Sequence, residues 1–244
     1  MVPSDRVEEA VARMVELFPA GFAEESRGEA VELVAFTDEA GVRRMEETFG
    51  EVGTAAVLSG WEDEWRRFHV PVLVGSLWVG PPWAEPAPGL TPVVIDPGRA
   101  FGTGGHATTR LCLELLHELE RGSFVDVGCG SGVLAIAAAK LGFGPVVALD
   151  LDEAAVEAAR RNAALTAVEL EVRRLDALAK PVPAADIALA NLDLATVMDL
   201  APRLASLHAV TSGYYESEPV TLAGFRHLER RCRDSWAADL FVRE

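Results

Sequence analysis

The segment FVDVGCGSGVLAIAAAKLG at 124–142 constrains this chain more than any other, because an apolar run ends there in three closely spaced glycines and passes directly into a helical pattern. Such a run reads as a buried strand. Glycines at its end permit a tight turn and let a ligand approach the backbone where a helix begins. Gly128, Gly130 and Gly132 are therefore candidates for a ligand-cradling turn. A dinucleotide fingerprint would require its third glycine at position 133, which is Val133, so a nicotinamide oxidoreductase is disfavoured.

The pattern around this turn alternates between strand and helix. Strands are predicted at 123–127, 145–150, 168–173, 185–190 and 207–213, and helices at 131–141, 152–163 and 195–204. This alternation argues for an α/β domain with a parallel, doubly wound sheet. Two more strands are expected at 225–229 and 236–242. Upstream, 5–18 reads as an amphipathic helix, 31–36 and 52–58 as strands and 38–49 as a helix, which together make a small α+β unit. Residues 61–90, rich in tryptophan and proline, read as a semi-rigid linker. The expected organisation is thus a small domain over 1–60, a linker over 61–90 and the large domain over 91–244.

An acidic residue some 20 positions past the glycine turn strengthens the ligand reading. Asp150 closes the next strand, PVVALD, where a carboxylate can accept hydrogen bonds from both hydroxyls of a ribose. Asp126, just before the turn, either holds the loop or meets a ligand ammonium. Asp176, after the third strand, can accept from an adenine amino group. Asp152 opens a helix and reads as its N-cap.

Two more segments carry candidate chemistry. In IDPGRAFGTGGHATTRLCLELL at 95–116, a glycine-rich loop containing Phe101, Gly102 and His106 precedes a helix whose start is marked by Thr108 and Thr109. The loop can close over a ligand. His106 either fixes the loop or contacts substrate, since imidazole titrates near neutral pH. In DIALANLDL at 186–194, an apolar strand delivers Asn191 to the carboxyl edge of the sheet, where open α/β proteins place their ligands. Asn191 can accept an N–H from an amine; a strand-end turn residue is the competing reading.

Composition limits the partners. Twenty-two basic and 38 acidic residues leave a net charge of −16, which disfavours direct nucleic-acid binding. Three scattered cysteines suit a reducing cytoplasm, with no metal site and no disulfide framework. No apolar run is long enough to span a bilayer, so a cytoplasmic protein is expected, and no long apolar face argues against a monomer.

These segments, in this order, resemble the ribosomal protein methyltransferase family of PrmA type, which modifies the stalk-base protein of the large subunit (L-eleven). The likeness is dense over PGRAFGTGGHATT and DVGCGSGVLAIAAAKLG and extends to Asn191 and APRLA at 201–205; WEDEWRRFHVPVLVG is similar to the family's linker. The resemblance implies S-adenosylmethionine (SAM) as cofactor, a seven-stranded Rossmann-like domain, and a ferredoxin-like amino-terminal domain that recognises a protein substrate. It further implies cofactor contacts from Thr109, Gly128, Asp150 and Asn191, with Phe101 and Gly102 in the covering loop and Asp176 near the adenine. Asp126 and Gly130 belong to the same cofactor turn, and Asn191 and His106 are the catalytic candidates.

The expected activity is N-methylation of a lysine side chain or α-amine on a ribosomal protein. A small-molecule amine methyltransferase and a non-catalytic SAM-binding module are the alternatives. Three departures from the family pattern stand out. The first ferredoxin-like strand is expected to be absent, APRLA is followed by SLHAVTSGYYESE, and Asn191 is followed by LDL where a small apolar pair is usual.

Overall fold

The structure, a computed structural model, describes residues 2–3, 10–11, 13–14, 17–18, 23–27, 30–35, 37–50, 52–55, 69–97 and 104–244. The chain divides into two compact units, Met1–Trp61 and Glu62–Glu244.

In the first unit, β1 (Val2–Pro3), β2 (Ala23–Arg27) and β3 (Ala30–Val34) form an antiparallel sheet in the order β1-β3-β2. Ala10, Val11, Arg13, Met14 and Leu17 are helical, and Met14 is fully buried, as the apolar spacing of 5–18 requires. Helix α1 (Glu39–Phe49) starts where the Asp38 carboxylate accepts from the Gly41 N–H at 2.9 Å. The expectation of a missing first strand is corrected here, since Val2 pairs with Val31 and Pro3 with Ala30. Strand β2 was not expected, because AEESR carries no apolar alternation and is held by the ladder to β3. Residues 52–55 are not strand, and 56–58 lie outside the described residues.

The second unit opens within the segment expected to be a linker. Strands β4 (Val72–Val74) and β5 (Leu77–Gly80) form an antiparallel hairpin, and β6 (Thr91–Val94) pairs parallel to β5. Leu77, Trp78, Val79 and Val93 are buried, so Trp78 is a core residue. His117 pins this hairpin, accepting from the Ser76 N–H at 3.2 Å while its other ring nitrogen meets the Leu113 carbonyl at 2.8 Å.

Next come α2 (Ala107–Glu118), β7 (Phe124–Val127), α3 (Val133–Leu141), β8 (Val146–Asp150), α4 (Glu153–Thr166), β9 (Glu171–Arg174), β10 (Ala185–Asn191), α5 (Leu194–Leu200), a 3-10 turn (Ala201–Arg203), β11 (Ser206–Tyr215), β12 (Phe225–Arg233) and β13 (Trp236–Arg243). The seven strands β7 to β13 make one sheet in the order β12-β13-β11-β10-β7-β8-β9. Strands β7 to β11 are parallel to one another, and β13 and β12 close the edge antiparallel. One core, with Leu111, Leu115, Phe124 and Ile136, lies between the sheet and α2, α3 and α4; the other, with Val125, Val127, Val197 and Leu200, lies on the α5 face.

The strand order reverses between β7 and β10, which is where a ligand crevice opens beyond the carboxyl ends of the strands. The turns there are packed tightly. A Cβ on Gly128 (φ 77°) would come within 2.5 Å of the Leu192 side chain. A Cβ on Gly213 (φ 104°) would fall on the Leu192 backbone at a bulge between Ser212 and Tyr214. Gly213→Ala combines backbone strain with that overlap, and a loss of about 3 kcal/mol or more is expected. Urea unfolding checks it; an unchanged midpoint would show that the bulge relaxes.

Candidate active site

Asp126 stands at a core position of β7, facing the side of α2 and α3. It is 1% exposed, and its Oδ2 accepts the Ala135 N–H at 3.1 Å, which ties the strand to the first turn of α3. Its Oδ1 is buried with no hydrogen-bond partner. Burial pushes this carboxyl up to about 7; the Ala135 N–H opposes the shift and the nearby Asp150 charge adds to it. Burial likewise pushes up the Cys112 and Cys129 thiols, so neither is a ready nucleophile.

Asp150, half-buried at the end of β8, closes the glycine turn. Its Oδ2 accepts from the Gly130 N–H at 2.9 Å and its Oδ1 from the Asp152 N–H at 2.9 Å. A carboxylate offers about four lone-pair sites, so both oxygens can still accept from a ligand. Asp152 caps α4 through the Ala154 N–H at 3.0 Å. Asp176 follows β9 and accepts from the Leu178 and Ala179 N–H groups through Oδ1, at 2.9 and 3.2 Å. Between them, Leu151 is an exposed apolar side chain next to Asp150. Sequence reasoning passed over it, and the signal was an apolar residue at a strand end before a cap.

Asn191 is the last residue of β10, half-buried and in register with Ser212 of β11. The β10–α5 and β7–α3 turns meet through Leu192 and Gly128, so Asn191 and the glycine turn flank one crevice. Thr109 is buried in the first turn of α2. The start of α2 differs from expectation: its N-cap is His106, whose Nδ1 lies 3.4 Å from the Thr108 N–H and 2.8 Å from Thr108 Oγ1. Phe101 and Gly102 lie outside the described residues.

A parallel sheet of this order, with a glycine turn and an acidic strand end at its switch point, defines the Rossmann-like methyltransferase fold. Solved structures that share it include the two that follow. The ribosomal protein L11 methylase of Lactobacillus delbrueckii subsp. bulgaricus is 28% identical with a TM-score of 0.63, over 72% of this chain and 99% of that one. The tRNA (uracil-54, C5)-methyltransferase of Pyrococcus abyssi, in complex with S-adenosyl-L-homocysteine, is 20% identical with a TM-score of 0.54, over 71% of this chain and 44% of that one; this likeness concerns the fold alone.

The chain belongs to the ribosomal protein L11 methyltransferase (PrmA) family, whose model matches residues 12–217. Relatives named ribosomal protein L11 methyltransferase include that of Symbiobacterium thermophilum, 41% identical over 191 residues, which cover 75% of this chain and 62% of the relative. That of Pelobacter propionicus is 40% identical over 208 residues, covering 75% of this chain and 66% of the relative. The chain thus spans somewhat less than two thirds of the length of these two relatives.

Because the Asp126 carboxyl is pushed up to about 7 from 3.8, the folded state holds its proton more tightly than the unfolded chain. The resulting stability is fully present below the unfolded value and is lost as pH rises through about 7. Between pH 4 and 7, the native protein is expected to lose up to about 1.4 kcal/mol per pH unit relative to Asp126→Asn. Paired urea titrations check this, and parallel pH profiles would mean that Asp126 ionises normally.

Proposed function

We propose that the chain is a SAM-dependent N-methyltransferase that acts in the cytoplasm, as a monomer, on an amino group of a ribosomal protein. The observation that carries this reading is the convergence of the glycine turn, Asp150 and Asn191 at the switch point of a chain belonging to this family. The residues also fit the cofactor. The orphaned Asp126 Oδ1 lies beneath the glycine turn and suits an ammonium group, and the Asp150 oxygens suit ribose hydroxyls. Asp176 and the apolar Leu151 suit an adenine. Gly128, Gly130, Thr109 and Asn191 complete the assigned cofactor contacts, with Phe101 and Gly102 assigned to a covering loop.

When bound, SAM supplies a methyl group on a sulfonium sulfur. The chain's own task would be to hold a neutral amine with its lone pair directed at that methyl and to leave the amine proton a route to water. Presenting a lysine neutral at pH 7 costs roughly 4–5 kcal/mol, and an α-amine about 1 kcal/mol, from their reference values. Asn191 is assigned to accept an amine N–H, which aims the nitrogen lone pair. His106, with Nδ1 engaged in the cap, is assigned to fix the loop and the start of α2 in preference to accepting a proton.

Asn191→Ala is expected to weaken SAM binding only modestly, as loss of one of several contacts does, and to lower turnover at saturating SAM by about ten- to a hundred-fold, as loss of positioning does. Calorimetry with SAM and initial rates check the two halves separately; unchanged turnover removes the orienting role. Methyl-tritiated SAM added with the protein to an extract lacking it tests the function itself. Acid-precipitable label in a ribosomal protein band is expected. Label confined to the soluble fraction would make the substrate a small amine, and no label from SAM-binding protein would make the chain a binding module.

A further inference from the structure

Strand β11 ends in an exposed aromatic side chain at the carboxyl edge of the sheet. Past Ser212, the neighbour of Asn191, β11 runs on through the Gly213 bulge to Tyr215, which pairs with Trp236 at the start of β13. The two rings stack with centroids 4.6 Å apart and planes 28° apart. His106, at the start of α2, meets the Trp236 ring edge-on with centroids 4.9 Å apart. Trp236 is thus held between two rings, while Tyr215 is 52% exposed and offers its uncovered face to solvent.

The backbone around Tyr215 is fixed. Its N–H donates to Glu218 Oε2 at 2.7 Å, and the Glu216 N–H donates to the Ser235 carbonyl at 2.8 Å. Two carboxylates therefore follow the ring within three residues. An aromatic face beside carboxylates attracts an organic cation, and attracts it more than a neutral group of the same shape.

We propose that Tyr215, backed by Trp236 and His106, is the acceptor-side platform that reads the alkylammonium head of the substrate amine. The platform determines specificity and takes no part in the chemical step. It binds the charged or methylated amine at the rim of the crevice, while the neutral form enters toward Asn191. This assignment rests on the methyltransferase reading above. It places substrate selection in the segment SGYYESE at 212–218.

The test is a binding measurement on the full chain saturated with S-adenosylhomocysteine, by NMR titration with two probes: Nα-acetyl-Nε-trimethyllysine amide and its neutral tert-butyl isostere. The cation is expected to bind about two- to five-fold more tightly than the isostere, the preference of an exposed cation–π site. Tyr215→Leu should abolish the preference, and Tyr215→Phe should keep it, with melting temperature and SAM affinity unchanged in both. Equal affinity for the two probes, or a preference that survives Tyr215→Leu, overturns the proposal. Because the measurement needs no turnover, failure of methyl transfer in wild-type protein would count against the functional reading and leave the platform to be judged by its probes.

Discussion

The site depends on one close approach, that of Leu192 to the two turns beside it. Its side chain occupies the space that a Cβ on Gly128 would need, and its backbone occupies the space that a Cβ on Gly213 would need. Its N–H donates to the Ser212 carbonyl at 2.9 Å, which continues the β10–β11 ladder past the strand end. Three turns from three strands are thereby brought onto one residue. The glycines on both sides accommodate the bulk of this leucine. The position of Asn191 relative to the glycine turn is therefore a packing result, set before any ligand arrives.

Electrostatics works against that packing at one point. A carboxylate in a fully buried strand is costly unless its oxygens are paired, and Asp126 has one oxygen paired and one orphaned. Holding the proton is one solution, and the raised pKa of about 7 reflects it. A cationic ligand group is the other, since it would pair the orphan oxygen and restore the charge. Binding and deprotonation would then be coupled at this residue. In a chain of net charge −16, a deprotonated Asp126 below the glycine turn adds to a field that already favours cations.

Much of this was legible in the sequence wherever local pattern and tertiary environment agree. The glycine turn, Asp150 and Asn191 sit at strand ends marked by an abrupt change from apolar run to turn residues, and the structure has them at those ends. The segment 61–90 reads as a linker for the opposite reason: its prolines are turn and connector signals, but Trp78 is buried in a three-stranded sheet whose strands are only three or four residues long. Strand β2 was invisible because AEESR is polar on both faces. The cap of α2 was assigned to the threonines, the commoner capping residues, when His106 caps it. The Tyr215–Trp236 pair joins residues far apart in the chain, and only the antiparallel register brings them together.

The edge hairpin carries that register to the active-site rim. Strand β12 is rich in arginine, which would suggest a phosphate-binding edge, but Arg230, Arg231 and Arg233 are engaged internally. Arg231 reaches Glu118 at 2.6 Å and Arg233 reaches Glu114 at 2.8 Å, both on α2. Partly exposed pairs of this kind contribute only about 0–1 kcal/mol each, so their effect is on orientation more than stability. Asp239 is different. It is 1% exposed and accepts from Tyr214, His227 and Arg230, and removing a partner from such a buried charge costs about 3–5 kcal/mol. The buried network holds β11 to β13, the ion pairs hold β12 to α2, and the ring contact between His106 and Trp236 closes the circuit at the start of α2. Two discontinuous pieces of sequence, helix α2 and the carboxyl-terminal hairpin, are thus oriented as one wall. Exposed residues of that wall can change without moving the scaffold, because its internal contacts hold it independently of what Tyr215 presents to solvent.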